Sequence, residues 1–282
     1  MKLLTNDTIG KFKLQLITDE KSDATIEKYI RDLRAFKIFL KGRELCKELV
    51  LQFKRFLIEN YAPASVNSML SSVNSFFDFV GWYELKVKTL KIQKKIFADK
   101  DKELTKDEYF RLLDAAKRKD NKKLYYLMQT ICSCGIRVSE LKHITIEAVK
   151  KQKATIRCKG KMRCILLPDS LCSQLKKYAG EQNITSGPVF ITKSGKALDR
   201  SQIWKMMKAL CESANVSRDK VFPHNLRHLF ARTYYSIQKD IVRLADILGH
   251  SSINTTRIYT METGEIHLKQ IQSLGLIAKK NT

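Results

Sequence analysis

Two histidines, an arginine and a tyrosine near the end of the sequence have types and spacings that suit phosphate chemistry. His224 and Arg227 are three residues apart, and His250 and Tyr259 follow in that order. Residues three apart share one face of a helix, and Pro223 stands where a helix start tolerates proline. Free backbone N–H groups at such a start attract an anion. Together these residues predict a site that binds a phosphate group and attacks it.

Each of these residues also has an ordinary structural interpretation. His228 and Arg232 could form a solvated helix face, and Tyr259 is one of ten tyrosines that could pack in a core. A single residue of this kind is a weak indicator of function. The catalytic interpretation therefore depends on residues further upstream.

The composition indicates a polyanionic partner. The 282 residues carry 53 Lys and Arg against 29 Asp and Glu, a formal net charge of +24. Nucleic acid is the simplest explanation, although an anionic membrane surface or solubility alone would also fit. No apolar run approaches the ~20 residues that a membrane span requires, and the polar start does not resemble a secretory signal. We therefore expect a cytoplasmic protein that does not bind membranes.

The seven cysteines do not form a metal-binding pattern. Their number is odd, no Cys-x-x-Cys occurs, and Cys132 and Cys134 are too close together for a zinc knuckle. Reduced thiols are the expected state in a cytosol. We expect no structural metal.

Hydrophobic periodicity predicts a helical first domain over residues 1–90. Apolar residues recur at helical spacing over 22–41, about 45–59 and 63–80, and a short helix is expected before Thr18. These helices could bury one core of a small domain.

The polar faces of these helices are rich in basic and small polar side chains. Long basic side chains fix a protein on phosphates without reading sequence, whereas a polar row on the third helix could read bases. Solvated surface remains an alternative for all of them. The predicted DNA contacts are Lys28, Arg31, Arg34, Ser68, Ser71 and Asn74.

Residues 86–102 are the best linker candidate, and we place the linker itself at 91–102 because its charge density disfavours burial. A second domain is expected over 103–282. Within it, β-type runs at 154–158 and 163–167 predict a hairpin with lysine at its tip. Another strand is expected at 189–191.

Two further helices are expected in this second domain. One is predicted over 201–214, and the other over 264–278 at the end of the chain. The terminal helix has an apolar stripe that could fold back on its own domain or dock on a second copy.

Six residues, taken in their order along the chain, match the pattern of a known protein family. With Arg137, Lys159, His224, Arg227, His250 and Tyr259, the sequence resembles the tyrosine recombinase family, which includes phage-type integrases and Xer recombinases. The motifs are Gly-Ile-Arg-Val-Ser-Glu-Leu at 135–141, Cys-Lys-Gly-Lys-Met-Arg at 158–163, His-Asn-Leu-Arg-His at 224–228 and Leu-Gly-His at 248–250. The resemblance rests on these motifs for about 100–282 and on a general helical pattern for 20–95.

The resemblance implies a fold and a nucleophile. The fold is mainly α with a small antiparallel β-sheet, comprising a helical N-terminal core-binding domain and an α+β catalytic domain. Tyr259 would attack a DNA phosphate to give a 3′-phosphotyrosyl link and a free 5′-hydroxyl. Because phenols are protonated at neutral pH, His224 would act as general base. Arg137 and Arg227 would clamp the non-bridging oxygens with forked donors.

The remaining site residues have supporting roles under the same resemblance. His250 would donate to the phosphate, and Lys159 would protonate the departing 5′-oxygen. Glu140 would orient Arg137 and also His228. Lys161, beside the hairpin tip, is a further expected DNA contact. No carboxylate cluster or phosphate-binding loop accompanies these residues, so we expect no metal, no ATP and no cofactor.

The favoured function is site-specific recombination of double-stranded DNA at specific sites, for integration or excision of a mobile element. Xer-type chromosome-dimer resolution and DNA inversion are alternatives. A type IB topoisomerase shares the chemistry but relaxes supercoils alone, and a catalytically inactive DNA-binding protein is the rival from another class. The family implies a nucleoid-associated homo-tetramer on DNA, joined through the C-terminal helix. Accessory DNA-bending proteins are left open.

Overall fold

The computed structural model describes residues 2–92, 100–158, 161–192, 194–259, 264–274 and 276. Within these ranges, the side chains of residues 100, 157, 158, 161, 264–267 and 270 are not described. The chain divides into two compact units, Met1–Lys94 and Lys95–Thr282. This division falls within the predicted linker, 91–102. No helix in the described ranges is long and apolar enough to cross a membrane.

The first unit is a bundle of four helices, whose starts and ends follow from capping residues. Thr5 and Thr8 form a capping box at the first helix. Pro63 occupies the first turn of the fourth helix, and Gly81 ends it in a left-handed conformation. The helices are α1 (Asn6–Thr18), α2 (Asp23–Leu40), α3 (Lys47–Asn60) and α4 (Pro63–Val80).

Phenylalanine and leucine side chains fill the centre of this bundle. Phe12, Phe36, Phe53, Phe76 and Phe77 are all nearly or fully buried. Their rings meet edge to face or tilted, with centroids 4.6 to 6.2 Å apart. The apolar stripes predicted from the sequence therefore form one core, and burial of these large rings contributes to its stability.

Two asparagines on α4 hold the segment that follows the bundle. Asn74 donates to the Val87 carbonyl at 2.8 Å and accepts from the Val87 N–H at 3.0 Å. Asn67 makes the equivalent pair with Leu90, at 2.9 and 2.7 Å. Val87 is buried in the bundle core. Residues 86–90 therefore belong to the first unit and not to the linker, because their backbone polar groups are satisfied by the bundle.

The second unit packs helices around α6. This helix is capped by Asn121 and ends at Gly135, and it packs against α5, α8, α9 and α10. The α-helices are α5 (Lys106–Arg118), α6 (Lys122–Cys134), α7 (Ile146–Lys150), α8 (Asp169–Glu181), α9 (Arg200–Lys208), α10 (Pro223–Gln238), α11 (Ile241–Leu248), α12 (Ile253–Thr256) and α13 (Gly264–Ser273). Short 3-10 helices cover Lys100–Lys102, Val138–His143, Arg218–Lys220 and Arg257–Tyr259.

One antiparallel hairpin forms the sheet of the second unit. Strands β1 (Lys153–Cys158) and β2 (Lys161–Leu166) pair with Lys153 opposite Leu166. The mainly helical fold with a small antiparallel sheet is therefore confirmed.

Two predicted elements are wrong in detail. Residues 189–191 make only an isolated bridge, Ile191 to Ala197, because a turn at 194–195 follows at once. Helix α9 ends at Lys208 rather than at 214. Leu210 and Cys211 stay buried beyond that point, so the apolar pattern continues after the regular helix has ended.

Candidate active site

Helix α10 presents two histidines and an arginine at its N-terminal end. Phe222 is extended and Pro223 begins the helix, so His224, Arg227 and His228 occupy its first two turns. The rings of His224 and His228 meet edge to face, with centroids 4.5 Å apart. The shared face predicted from the spacing of His224 and Arg227 is therefore present.

Arg227 is the most deeply buried charged residue of the site, with 1% of its surface exposed. Its Nη1 donates to the Gly135 carbonyl at 2.6 Å, and its Nη2 donates to the Leu248 carbonyl at 2.7 Å and to His250 Nε2 at 2.8 Å. Gly135 and Gly249 end α6 and α11 with φ of 60° and 63°. Arg227 thus bridges the negative ends of two helices, which stabilises its charge.

Burial and a neighbouring cation lower the pKa of Arg227. Desolvation is the main cause, Arg137 adds to it, and hydrogen bonding with Tyr259 opposes it, which leaves the pKa at about 10. The guanidinium therefore stays charged at neutral pH. Its Nε has no hydrogen-bond partner among the described residues.

Arg137 lies two residues after Gly135, the glycine that ends α6, and Glu140 holds it. Glu140 accepts from the Arg137 backbone N–H at 2.8 Å and from Arg137 Nη1 at 3.0 Å. Arg137 Nη2 donates to the Gly249 carbonyl at 3.3 Å. Because 41% of the Arg137 side chain is exposed, its guanidinium can reach a ligand. The contact predicted between Glu140 and Arg137 is present, whereas the described contacts of Glu140 do not include His228.

Arg163 is a site residue that the sequence did not single out beyond its place in a motif. Its Nη1 donates to both carboxylate oxygens of Glu140 at 2.6 Å, and its Nη2 donates to the Ile247 carbonyl at 2.7 Å. Arg163 is two residues before Ile165 and four before Leu167, and both of these are buried. Because every second residue of a strand points to the same face, this spacing could have placed Arg163 on the inner face of β2.

The charge of Glu140 is maintained by these contacts. Burial alone raises the pKa of its carboxyl group, but the Arg137 backbone N–H and the guanidinium groups of Arg163 and Arg137 outweigh burial. The pKa of Glu140 is therefore lower than usual. One carboxylate is shared by two arginines.

Tyr259 ends a 3-10 helix and packs among the histidines. Its ring meets His228 edge to face with centroids 4.7 Å apart, and lies nearly parallel to His250 at 5.9 Å. Only 3% of its surface is exposed, and Leu248 belongs to the same buried cluster. Its hydroxyl interacts with Arg227. The nucleophile predicted from the sequence thus lies beside one of the predicted arginines.

The contacts of His250 assign its tautomer. Its Nε2 faces Arg227 Nη2, which can only donate, and its Nδ1 lies 2.8 Å from the hydroxyl of the buried Thr256. Nε2 is therefore the acceptor, and Nδ1 carries the proton. In this arrangement His250 does not donate through Nε2, so its predicted donation to phosphate requires the other tautomer or protonation.

Three histidines of the site are neutral at pH 7. Desolvation, followed by nearby cationic groups, lowers the pKa of His228 and of His250 to about 4 and also lowers that of His224. A neutral imidazole can accept a proton, so His224 has the protonation state that the predicted base role requires.

We expect these pKa shifts to make stability depend on pH. In the unfolded chain the histidines titrate near ~6.5, so below that pH the unfolded state binds more protons than the folded state. Stability is therefore expected to fall as pH decreases from about 6.5 toward 4. Side-chain NMR titration of the three rings and urea unfolding across this range test the prediction. Ring pKa values at or above 6.5 would contradict it.

The predicted DNA contacts in the first unit differ in their availability. Lys28 Nζ donates to the Ser68 carbonyl at 2.7 Å and to Ser72 Oγ at 2.9 Å, and it pairs with the buried Asp32 at 2.9 Å. All three of its donors are used, so the geometry does not support a phosphate contact. Arg31 and Arg34 are exposed, and their DNA contacts stay predictions.

Two of the predicted base-reading residues, Ser71 and Asn74, are also engaged within the protein, whereas the contact predicted for the Ser68 side chain stays a prediction. Ser71 Oγ donates to the Asn67 carbonyl of its own helix at 2.8 Å. Asn74 uses both ends of its amide on Val87, which accounts for it as a structural residue. Lys159 lies outside the described residues. Lys161 lies in β2, and its side chain is not described.

The sequence profile described as the phage integrase family matches residues 102–265. The chain is 28% identical to the tyrosine recombinase XerA of Pyrococcus furiosus, over 95% of this chain and 94% of that protein. It is 29% identical to XerD of Staphylococcus saprophyticus, over 90% of this chain and 94% of that protein.

The fold is similar to that of a crystallised dimer of lambda integrase residues 75–356 bound to a COC′ core site. The TM-score is 0.75 at 17% identity, with 92% of this chain and 96% of that chain covered. At this identity the similarity shows the fold alone. With the profile match over more than half of its length, the chain belongs to the phage integrase family of tyrosine recombinases, which are DNA strand-transferring enzymes.

Proposed function

We propose that this protein is a site-specific recombinase that cuts and rejoins double-stranded DNA through Tyr259. The observation that carries the proposal is the placement of Tyr259 against His228 and His250 at ring separations of 4.7 and 5.9 Å, beside the buried guanidinium of Arg227. The Arg227 guanidinium, with the Arg137 guanidinium nearby, suits a phosphodiester whose charge grows during attack. The net charge of +24 suits the DNA around it.

The proposed reaction balances without an added oxidant or energy source. Tyr259 Oη bonds to phosphorus while its proton passes to the neutral imidazole of His224, which meets His228 edge to face. The bond from phosphorus to the 5′-oxygen breaks, and Lys159 supplies the proton to that oxygen. The reverse steps reseal a strand, because the phosphotyrosyl ester retains the energy of the original phosphodiester.

Arg137 and Arg227 have different roles in this scheme. Arg137 is exposed enough to grip a non-bridging oxygen directly. Arg227 is occupied by the carbonyls of Gly135 and Leu248, and its Nε is buried, so it would act on the phosphate through its charge. The scheme assigns no role to a metal ion, ATP or another cofactor.

For biological role we propose integration or excision of a mobile element, with Xer-type chromosome-dimer resolution or DNA inversion as the alternative. The high positive charge favours the first, whereas the full-length similarity to XerA and XerD proteins favours the alternative. Short repeats at the ends of a DNA segment that carries the gene would support a mobile element. The proposed location is the nucleoid, within the cytoplasm.

The proposed assembly on DNA is a homo-tetramer joined through α13. An apolar row runs along this helix to the residue just after it. Its members lie three residues apart and are all more than half exposed: Leu268, Ile271 and Leu274. Such an apolar row suits docking on a second copy. The lambda integrase neighbour was likewise solved as a dimer on DNA.

The test starts from a duplex pool with a randomised central region, because the target site is unknown. Incubation with the full chain in the presence of EDTA is expected to give protein–DNA adducts that survive denaturant. Sequencing the captured DNA would give the site, and mass spectrometry should find the nucleotide on the peptide that contains Tyr259. Absence of adducts above those of a basic control protein would refute the proposal.

A second measurement separates the recombinase from a topoisomerase. Two labelled duplexes that carry the captured site are expected to exchange ends. Relaxation of supercoiled DNA that lacks the site, without any exchange, would instead favour the type IB topoisomerase. DNA binding without either activity would identify an inactive DNA-binding protein.

A further inference from the structure

Three arginines from three different parts of the second unit donate hydrogen bonds to the carbonyl groups of one backbone turn. Arg163 from β2 donates to the Ile247 carbonyl, Arg227 from α10 donates to the Leu248 carbonyl, and Arg137 donates to the Gly249 carbonyl. The donor–acceptor distances are 2.7, 2.7 and 3.3 Å. We call residues 247–249 the carbonyl turn. Each of its three consecutive carbonyl groups accepts from a different guanidinium.

The carbonyl turn is suited to gathering cations because it is the C-terminal end of α11. Carbonyls at a helix C-terminus lack partners in the helix and carry partial negative charge. Three guanidinium groups would otherwise repel one another, and Glu140 supplies the one carboxylate that the described residues show bonded to them. The turn therefore offsets part of this repulsion before any phosphate arrives.

Gly249 provides the space for this arrangement. Its φ of +63° is in the left-handed region, and an added Cβ would lie 2.4 Å from Arg163 Cδ and 2.8 Å from Arg163 Nε. A side chain at this position would displace Arg163 from the turn. The glycine before His250 is thus explained by the approach of Arg163 as well as by helix termination.

Arg163 differs from the other two arginines in its exposure. Only 12% of its side chain is exposed, whereas Arg137 is open to a ligand. Its two Nη atoms donate hydrogen bonds to the Glu140 carboxylate and the Ile247 carbonyl. Its Nε is buried and has no partner among the described residues, so Arg163 is much less accessible to a phosphate than Arg137. It connects β2 of the hairpin to the carboxylate that orients Arg137.

We propose that Arg163 is a positioning residue of the strand-transfer reaction. It fixes Glu140, and through Glu140 it fixes Arg137, while its bond to Ile247 holds the hairpin against the carbonyl turn. This proposal rests on the proposed function, because its effect on rate requires the cleavage reaction. Its effect on the order of the Arg137 side chain does not require cleavage.

Removal of Arg163 is expected to slow cleavage while sparing DNA binding. The probe is the duplex captured by the unaltered protein, and the readout is the single-turnover rate of adduct formation. Arg163→Ala should lower this rate by about 10- to 100-fold, as is typical when an orienting partner is lost. Arg163→Lys should restore it only in part, because an ammonium group cannot bridge Glu140 and Ile247 as a fork. Arg118→Ala, which loses an exposed bond to the Ser213 carbonyl, is the control.

A double-mutant cycle separates positioning from an independent structural effect. If Arg163 acts through Arg137, the variant lacking both arginines should be no slower than Arg137→Ala alone. Gly249→Ala, which crowds Arg163 without removing its charge, should slow the reaction like Arg163→Ala. It also tests the proposal if Arg163→Ala does not fold. Fully additive losses, or an unchanged rate in Arg163→Ala, would overturn the proposal.

An NMR measurement keeps this proposal distinguishable from the proposed function. The ¹⁵N relaxation of the Arg137 side chain reports its order in the free protein, without DNA. We expect Arg163→Ala to make Arg137 more mobile, with Arg118→Ala unchanged. Unchanged order would overturn the role of Arg163 even if cleavage occurs. Failure of the unaltered protein to form any adduct would instead overturn the proposed function.

Discussion

Phenylalanine in place of Tyr259 is expected to abolish the covalent adduct while DNA affinity is unchanged. The substitution removes one oxygen, which is the proposed nucleophile, and no other side chain of the site can form the same ester. The ring contacts with His228 and His250 remain, so the fold should persist. Loss of the hydroxyl interaction with Arg227 is expected to lower the free energy of unfolding by about 1 kcal/mol.

The measurement compares adduct formation on the captured duplex with binding measured by fluorescence anisotropy. Tyr235→Phe is the matched control, because the half-buried Tyr235 of α10 packs against the same apolar cluster as Tyr259, and its ring faces the Lys239 ammonium group at 5.5 Å. That control should form the adduct at the normal rate. An undiminished adduct in Tyr259→Phe would refute the nucleophile assignment, whereas loss of binding in that variant would show that the site had been disrupted.

Lysine in place of Arg227 is expected to impair both catalysis and stability. Lysine keeps the charge but cannot reach the Gly135 and Leu248 carbonyls and His250 at the same time, because it lacks the planar fork. At least one buried carbonyl then loses its donor, which costs about 1–3 kcal/mol. We expect the adduct rate to fall by at least ~100-fold, since loss of one preorganised donor has that effect.

Urea unfolding and single-turnover adduct formation measure the two effects of Arg227→Lys separately. Arg232→Lys is a suitable control. Arg232 lies on the same helix, donates to the Leu104 carbonyl at 2.7 Å and pairs with Glu103, but it makes no described contact with the site. It should lose stability without a comparable loss of rate. A normal rate in Arg227→Lys would show that the forked geometry is dispensable.

Much of the fold could be predicted because local chemistry sets its elements. Capping at Thr5, proline at position 63 and left-handed glycines at 81, 135 and 249 determine where helices begin and end. Apolar periodicity also identifies the inner face of each helix. Apolar periodicity gave a wrong helix end beyond Lys208. Apolar side chains there stay in the core after the regular helix has ended, so their pattern does not mark the end of the helix.

The predicted surface contacts show what charge patterns alone leave undecided. The sequence predicts a solvated or DNA-facing side chain for Lys28, but in the structure its ammonium group binds Asp32, Ser68 and Ser72. Asn74 reads as a base contact, but its amide satisfies the backbone of Val87. Apart from Asp32, which is four residues from Lys28, these partners are 13 to 44 residues away in sequence. The position of a residue on a helix shows which way its side chain points, but it does not show which other part of the protein lies opposite.

The sequence by itself determined the chemical groups of the site and the local geometry of each motif. The shared face of His224 and Arg227, the Arg137–Glu140 pair and the glycine before His250 all follow from spacings of a few residues, which helix and turn geometry fix. Only the tertiary structure decided that Arg163 joins them, that three arginines share the carbonyl turn and that His250 is a neutral acceptor. These facts depend on residues that are 21 to 112 positions apart, because folding and not local propensity brings distant backbone carbonyls to buried guanidinium groups.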